Sequence, residues 1–233
     1  MCQTAAQVKY FLKKMTELAI FDLDGTLLDT REDLAAATNE ALRRCGFPER
    51  PLSEYNLLVG RGISNLMKRA MPEKDATEEN VARMRAVFFP YYDAHKCDRT
   101  RPYDGIEAML EELARSGVKL AVASNKYQDG TEKLIRHFFP AGTFSAVFGQ
   151  REGFPIKPDP QIVSSIMQEC GITNRESVVY IGDSDVDMQT GQNAGVRTVG
   201  VTWGFRSKEE LLSGHPWMLA DSPEDITHAI TEQ

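Results

Sequence analysis

Two runs of apolar residues in this chain end in clustered aspartates: LAIFDLDGTLLDT at Leu18 to Thr30, and VVYIGDSDVD at Val178 to Asp187. Apolar runs of four or five residues closed by glycine read as strands buried on both faces, which puts both acidic clusters on loops at strand ends. If the two strands are neighbours, Asp22, Asp24 and Asp183 converge on one point. Like charges that close repel unless something positive lies among them, and a hard cation such as Mg2+ held by two or three carboxylates meets that demand. The pair of runs therefore points to phosphate chemistry.

Between the runs the pattern changes character. Thr30-Arg-Glu-Asp33 has the form of a capping box, and Leu34, Ala41, Leu42 and Cys45 follow at helical spacing to a stop at Gly46. Ile63, Leu66, Met67 and Ala70 make a second helical stripe broken by Pro72. Val81, Met84, Val87, Phe88, Tyr91 and Tyr92 make a third, interrupted by Pro90. Nothing from Thr30 to about Asp98 reads as a strand, so residues 31–97 are expected to form an all-helical cap inserted into a core of residues 15–30 and 98–233.

From Arg101 onward helix and strand alternate. Ile106, Met109, Leu110 and Leu113 predict a helix ended by Gly117, Val118 to Ala123 a strand, Gly130 to Phe139 a helix and Ser145 to Phe148 a strand. A helix opened by Pro160 and ended by Gly171 precedes the second acidic strand, which is followed by a short helix to Ala194 and a strand from Arg197 to Val201. This alternation predicts an α/β fold, a Rossmann-like parallel sheet with helices on both faces. Ligands of such sheets sit beyond the carboxyl ends of the strands, where both acidic loops fall.

Charge and cysteine usage narrow the partners. A net charge of −7 over 233 residues argues against nucleic acid, whose binding rests on a basic face, and favours a small phosphorylated metabolite. No segment approaches the roughly 20 apolar residues of a membrane span. Residues 1–14 carry Lys9, Lys13 and Lys14 but no signal-type apolar stretch, and are expected to be a disordered extension or the product of an upstream start. Cys2, Cys45, Cys97 and Cys170 lack CxxC spacing and read as free thiols, with Cys45 and Cys170 buried, in a reducing cytoplasm. A monomer or a homodimer is expected.

Asp22 lies closest to its strand and so is held most rigidly, as a nucleophile needs; Asp24, one residue away, suits a general acid and base. A plain Asp–Gly–Thr turn would also use these residues. Asp183 is the candidate metal ligand of the second loop. Asp187 is a candidate outer or water-mediated ligand and Asp185 a lesser one, or both acids instead start the next helix, where they offset its positive end. Ser124, directly after a buried strand, can hold a phosphoryl oxygen through its hydroxyl and adjacent N–H groups, or simply cap a helix. Lys157, stiffened by flanking prolines, can neutralise both the nucleophile and the phosphoryl group. Thr26 and Asn125 are candidate substrate contacts. Arg61, in the glycine-flanked loop Val59-Gly-Arg-Gly-Ile63, can pair bidentately with a substrate carboxylate or stand as an exposed loop arginine.

Together DLDGT at Asp22 to Thr26, strand-end Ser124, Lys157 before Pro158, and GDSDVD at Gly182 to Asp187 resemble, in order and spacing, the four motifs of the haloacid dehalogenase-like hydrolases. The resemblance runs from about Leu18 to the C-terminus. It implies that Asp22 forms an aspartyl-phosphate and that Asp24 is acid and base. It also implies that Mg2+ is held by Asp22, the backbone carbonyl of Asp24 and Asp183, under a helical cap. Ser124-Asn-Lys126, Gly149 to Gly153, and Val201-Thr-Trp-Gly-Phe205 are similar to the phosphoglycolate phosphatases. Asp24 argues against the dehalogenase branch, which needs no protonated leaving group. The expected activity is hydrolysis of small phosphate monoesters, 2-phosphoglycolate foremost. Its rivals are a sugar-phosphate phosphatase or phosphohexomutase and, outside enzymes, an aspartate phosphoacceptor switch. Asp24 and Lys157 together favour turnover.

Overall fold

The structure, a computed structural model, describes residues 16–232, so the extension expected at 1–14 lies outside it. Six strands form a parallel sheet: β1 (Leu18–Phe21), β4 (Lys119–Tyr127), β5 (Ala146–Gln150), β6 (Val178–Gly182), β7 (Arg197–Val201) and β8 (Met218–Ala220). Their order is β5-β4-β1-β6-β7-β8, with all neighbours parallel. The two acidic runs are therefore adjacent. Phe21 pairs with Val122 on one side and Ile181 on the other, so Asp22, Ser124 and Asp183 leave the same edge of the sheet. Strand order reverses at β1, which makes this edge the crevice where such sheets bind ligands.

Alternation along β1 explains its four-residue apolar run, since side chains point to opposite faces in turn. Ala19 and Phe21 pack with Val122 and Ile181 against α5 (Ile106–Arg115), α6 (Gln128–Phe138) and α10 (Pro223–Thr231). Leu18 and Ile20 pack with Ala121 and Tyr180 against α7 (Gln161–Glu169) and the end of α8 (Asp185–Ala194). Each large aliphatic or aromatic side chain fully buried this way contributes ~1.5–3 kcal/mol relative to exposure, which rigidifies the strand that carries Asp22.

Between Thr30 and Thr100 the chain is helical: α1 (Arg31–Cys45), α2 (Tyr55–Leu58), α3 (Ile63–Ala70) and α4 (Glu78–His95) share a hydrophobic cluster that includes Leu42, Met67, Met84 and Phe88. Gly46 ends α1 in the left-handed conformation, at φ 82°. Pro90 does not interrupt α4. A proline removes one helical N–H, but Phe88 and Tyr92 stack across that turn with ring centroids 5.1 Å apart, and both are fully buried.

The residues of the apparent capping box do other work. Thr30 precedes α1 without capping it; its hydroxyl donates to Asp24 Oδ1 at 2.7 Å. Asp33 accepts from the backbone N–H of Arg99 at 3.1 Å, and from the N–H and hydroxyl of Thr100 at 2.8 Å each. It thus joins the two ends of the helical segment. Beside this joint, β2 (Leu28–Asp29) and β3 (Arg101–Pro102) form a short antiparallel pair where the sequence showed no strand. Strand β4 extends through Ser124, Asn125 and Lys126 to Tyr127, beyond its expected end at Ala123. Helix α9 (Lys208–Ser213), β8 and α10 complete the chain. Cys170 is buried and Cys45 half-buried, both free thiols. Among the described residues no helix is long and apolar enough to cross a membrane.

Candidate active site

Asp22 is the first residue past β1, and its backbone N–H still donates to Ile181 at 2.9 Å, so the sheet fixes it. The loop then turns at Gly25, φ 90°, where any side chain would overlap the Asp183 carboxylate. Gly204 is constrained in the same way from the opposite side. Both glycines let backbone close around Asp183, whose Oδ2 accepts from the Phe205 N–H at 2.7 Å. Val201 to Phe205 therefore has a physical role: it seats the second acidic loop. Thr26 also turns to Asp183, its hydroxyl 3.4 Å from Oδ1, rather than lining the cavity expected to take substrate.

Asp22, Asp183 and Asp187 each bring a carboxylate oxygen within 4.8 Å of the others, all three buried. The Lys157 ammonium lies 2.8 Å from Asp22 Oδ1, 2.7 Å from Asp187 Oδ1, 3.0 Å from the Ala123 carbonyl and 3.0 Å from the Tyr180 hydroxyl. Burial by itself would lower the Lys157 pKa, but Asp187 and Asp22 more than offset it and hold the ammonium charged well beyond its usual range. The acids remain under-compensated. Burial, then the Asp187 charge, pushes the Asp22 carboxyl well above its ordinary value despite Lys157. Burial and Asp187 likewise push Asp183 up to about 7. Asp22, Asp24, Asp183 and Asp187 face two ammoniums, Lys157 and Lys126, a deficit of two positive charges. The hard oxygen donors of Asp22 and Asp183 suit a divalent cation that makes up that deficit.

Asp187 has both oxygens engaged: Oδ1 by Lys157, and Oδ2 by the Ser184 N–H at 3.1 Å and hydroxyl at 2.5 Å. It closes the capping box that starts α8 and at the same time anchors Lys157. These partners give it a positioning role, and leave Asp22 and Asp183 as the better direct ligands. Asp24 points elsewhere, with Oδ1 held by Thr30 and Oδ2 by the Lys126 ammonium at 3.2 Å.

Ser124 is buried beside Asp22 and Asp24 in the cavity wall, its hydroxyl accepting from the Lys126 N–H at 3.1 Å. Asn125 lines the same cavity, but its amide is largely committed to holding other groups. Oδ1 accepts from the Lys157 N–H at 2.8 Å, while Nδ2 reaches the carbonyls of Lys157 at 3.2 Å and Gly60 at 3.1 Å. It clamps the Lys157 loop to the helical segment above. Arg61 stands outside the cavity wall that its neighbours Gly60 and Gly62 help to form. Its guanidinium pairs with Asp185 Oδ2 at 2.6 Å and stays 46% exposed, so the expected carboxylate contact is not made by the conformation seen.

Sequence reasoning passed over three residues that the structure brings in. Lys126 is buried in the cavity wall, its ammonium 2.9 Å from the Tyr92 hydroxyl. Tyr92 reaches down from α4; in sequence it was only one more member of an apolar stripe. Arg206, also buried, donates to the Val59 carbonyl at 2.9 Å and secures the cap loop from the core side. The signal for Lys126 was available: a lysine three residues past the apolar run Leu120 to Ala123, inside a stretch that stays extended. These contacts close the helical segment over a cavity of about 30 Å³, room for two or three waters.

Comparison with known proteins agrees with this geometry. The family model described as haloacid dehalogenase-like hydrolase matches residues 19–201. A phosphoglycolate phosphatase of Agrobacterium fabrum is 31% identical over 228 residues, 95% of this chain and 95% of its own length. A phosphoglycolate phosphatase of Psychrobacter arcticus is 32% identical, covering 86% of this chain and 89% of its own. The crystal structure of a candidate phosphoglycolate phosphatase from Lactobacillus delbrueckii superposes with a TM-score of 0.88 at 33% identity, over 94% of this chain and all of that one. With a family model matched over most of its length and a relative 31% identical over 95% of it, the chain belongs to the haloacid dehalogenase-like hydrolase family.

Proposed function

We propose that the chain is a Mg2+-dependent phosphatase of small phosphorylated carboxylic acids, with 2-phosphoglycolate the leading substrate. The observation that carries this reading is the separation of the two aspartates. Asp22 sits among Lys157, Asp183 and Asp187, where a phosphoryl group can be neutralised. Asp24 faces the capped side beside Lys126, where a leaving group would lie. The names of the relatives support the same substrate.

Lys157 holds Oδ1 of Asp22, which leaves Oδ2 to attack phosphorus in line with the ester oxygen. As the P–O bond to the substrate breaks, Asp24 gives its proton to the departing alkoxide. Asp24 then takes a proton from the water that cleaves the aspartyl-phosphate, regenerating Asp22. Thr30 and Lys126 hold its carboxyl for both transfers. Lys157 offsets charge on Asp22 and the phosphoryl oxygens throughout. Mg2+ would be held by Asp22, Asp183 and the Asp24 carbonyl, and would supply further positive charge to those oxygens. The helical cap excludes water while the phosphoryl group is transferred. Asp24 favours turnover over a phosphoacceptor switch, and the names of the relatives favour a two-carbon leaving group over the hexose of a sugar-phosphate phosphatase or phosphohexomutase. Free half-buried and buried thiols suit a reducing cytoplasm.

Activity of the purified protein on a panel of phosphate esters, with and without Mg2+, tests the reading. The expected result is Mg2+-dependent multiple turnover with kcat/KM for 2-phosphoglycolate at least ~100-fold above that for hexose 6-phosphates, as for a polar contact that only one substrate completes. A preference for hexose phosphates, or one phosphorylation event without turnover, would contradict it.

A second expected outcome concerns metal and pH. A raised carboxyl pKa in the fold means that the cost of ionising Asp183 builds as pH rises from its unfolded value and is complete above about 7. Mg2+ relieves that cost and competes with protons below it. Its apparent affinity, read from Tm against Mg2+ concentration, should therefore be higher at pH 8 than at pH 6, by about tenfold per pH unit for each proton displaced. Equal affinities at the two pH values would remove Asp183 from the metal site.

A further inference from the structure

We propose that Lys126 is the specificity-determining residue of the cavity: its ammonium binds the carboxylate of the substrate, and Tyr92 from the cap positions it. The proposal rests on the phosphatase reading above and adds the group that recognises the acid.

In a phosphorylated two-carbon acid the carboxylate is one CH2 away from the ester oxygen. A cation that recognises it must therefore stand within a few ångströms of the acid that protonates that oxygen. Lys126 Nζ lies 3.2 Å from Asp24 Oδ2. Lys126 is also the one cationic side chain in the cavity wall among the described residues. Around it stand Leu34, Val59, Ile63 and Leu66, which offer a carboxylate nothing. Arg61, the other candidate, is held outside by Asp185.

An ammonium has three donors. Tyr92 accepts one at 2.9 Å and Asp24 faces another, which leaves the third for a ligand. The ammonium also lies 4.7 Å from the centroid of the Tyr92 ring, and its side chain is 1% exposed. Burial makes each of its contacts count, and the donor that Tyr92 and Asp24 leave over faces the cavity, where a carboxylate can take it. Because Tyr92 belongs to the cap and Lys126 to the sheet, the carboxylate site is complete only when the cap is seated. Substrates that carry the acid would then favour the closed state in which Asp24 is shielded from water.

The test compares 2-phosphoglycolate with 2-hydroxyethyl phosphate, the same size with an alcohol in place of the carboxylate. Binding is measured by calorimetry with Mg2+ present in an Asp22→Asn background, where no turnover is needed. Steady-state kinetics are measured in the otherwise native protein. Lys126→Met should weaken 2-phosphoglycolate binding roughly 10–100-fold more than it weakens 2-hydroxyethyl phosphate binding, the size of one charge-assisted hydrogen bond. Lys126→Arg should recover part of the loss, and Tyr92→Phe should reduce the preference for the acid several-fold, through KM more than kcat. Equal losses on both ligands, or none on either, would overturn the assignment. Because binding is read without catalysis, intact carboxylate discrimination in a protein that never turns over would sink the phosphatase reading and leave the role of Lys126 supported.

Discussion

Asp22→Asn lowers kcat by about 10⁴–10⁶, the scale on which removing the nucleophile of a covalent catalyst acts, and at the same time stabilises the metal-free fold. Both effects come from one environment. Asp22 is buried at the end of a fully buried strand, and its carboxyl is raised by that burial and by Asp187 and Asp183 beyond what Lys157 offsets. An acid whose folded pKa is raised destabilises the fold increasingly as pH climbs above its unfolded value. The neutral amide removes that cost, keeps the shape, and leaves Lys157 paired to Asp187 at 2.7 Å. Tm without metal should rise by about 2–4 °C for each kcal/mol of repulsion relieved, and more at pH 8 than at pH 5. The same substitution removes a metal ligand, so Mg2+ should shift Tm less in the variant. Thermal melts beside initial rates measure all three. An inactive variant with lowered stability would mean that Asp22 is structural.

Lys157→Met has the opposite signature. It deletes the ammonium shared by Asp22 and Asp187 and leaves two buried carboxylates unpaired, a loss of ~3–5 kcal/mol. For a chain of this length that lowers Tm by about 10 °C. Activity falls as well, by at least about 10³, because charge on the nucleophile and phosphoryl group is no longer offset. The folded pKa of Lys157 is raised, so its stabilisation is fully present at neutral pH and disappears only as pH rises through that alkaline value. Wild type should therefore show no such loss between pH 6 and 8. The variant should recover stability on acidification, as the raised Asp22 carboxyl takes up a proton. Melts at pH 5 and 7.5 decide the matter; a pH-independent deficit would mean that lost packing, and not lost charge, dominates.

How much of this was legible in the sequence follows the range of the interactions. Asp22, Asp24, Asp183 and Lys157 could be read because each is fixed by its own strand end or proline-bounded loop, and strand β1 lies between the two strands that bear Ser124 and Asp183. Arg61, Thr26 and Asn125 were expected to contact substrate, but the partners they take in the fold, Asp185, Asp183, and the Lys157 and Gly60 backbone, are chosen by tertiary packing. Lys126 meets Tyr92 across 34 residues, a contact no local pattern carries. The two-residue strands β2 and β3 are too short for any periodicity. Thr30 and Asp33 matched a capping box because that pattern records only spacing, and stronger partners at Asp24 and Thr100 drew both side chains away. The last two helices went unread although their signal was there: Ser207 with Glu210 and Ser222 with Asp225 each form a capping box whose spacing stands in the sequence.

The central claim, that Asp22 carries the phosphoryl group between substrate and water, is tested most directly by trapping it. Protein mixed with radiolabelled 2-phosphoglycolate and Mg2+, quenched in acid within the first turnover and reduced with borohydride, should yield homoserine at position 22 in proportion to the label bound. Asp22→Asn should bind no label. Turnover by the native protein with no acid-stable label, or label on any other residue, would contradict the account.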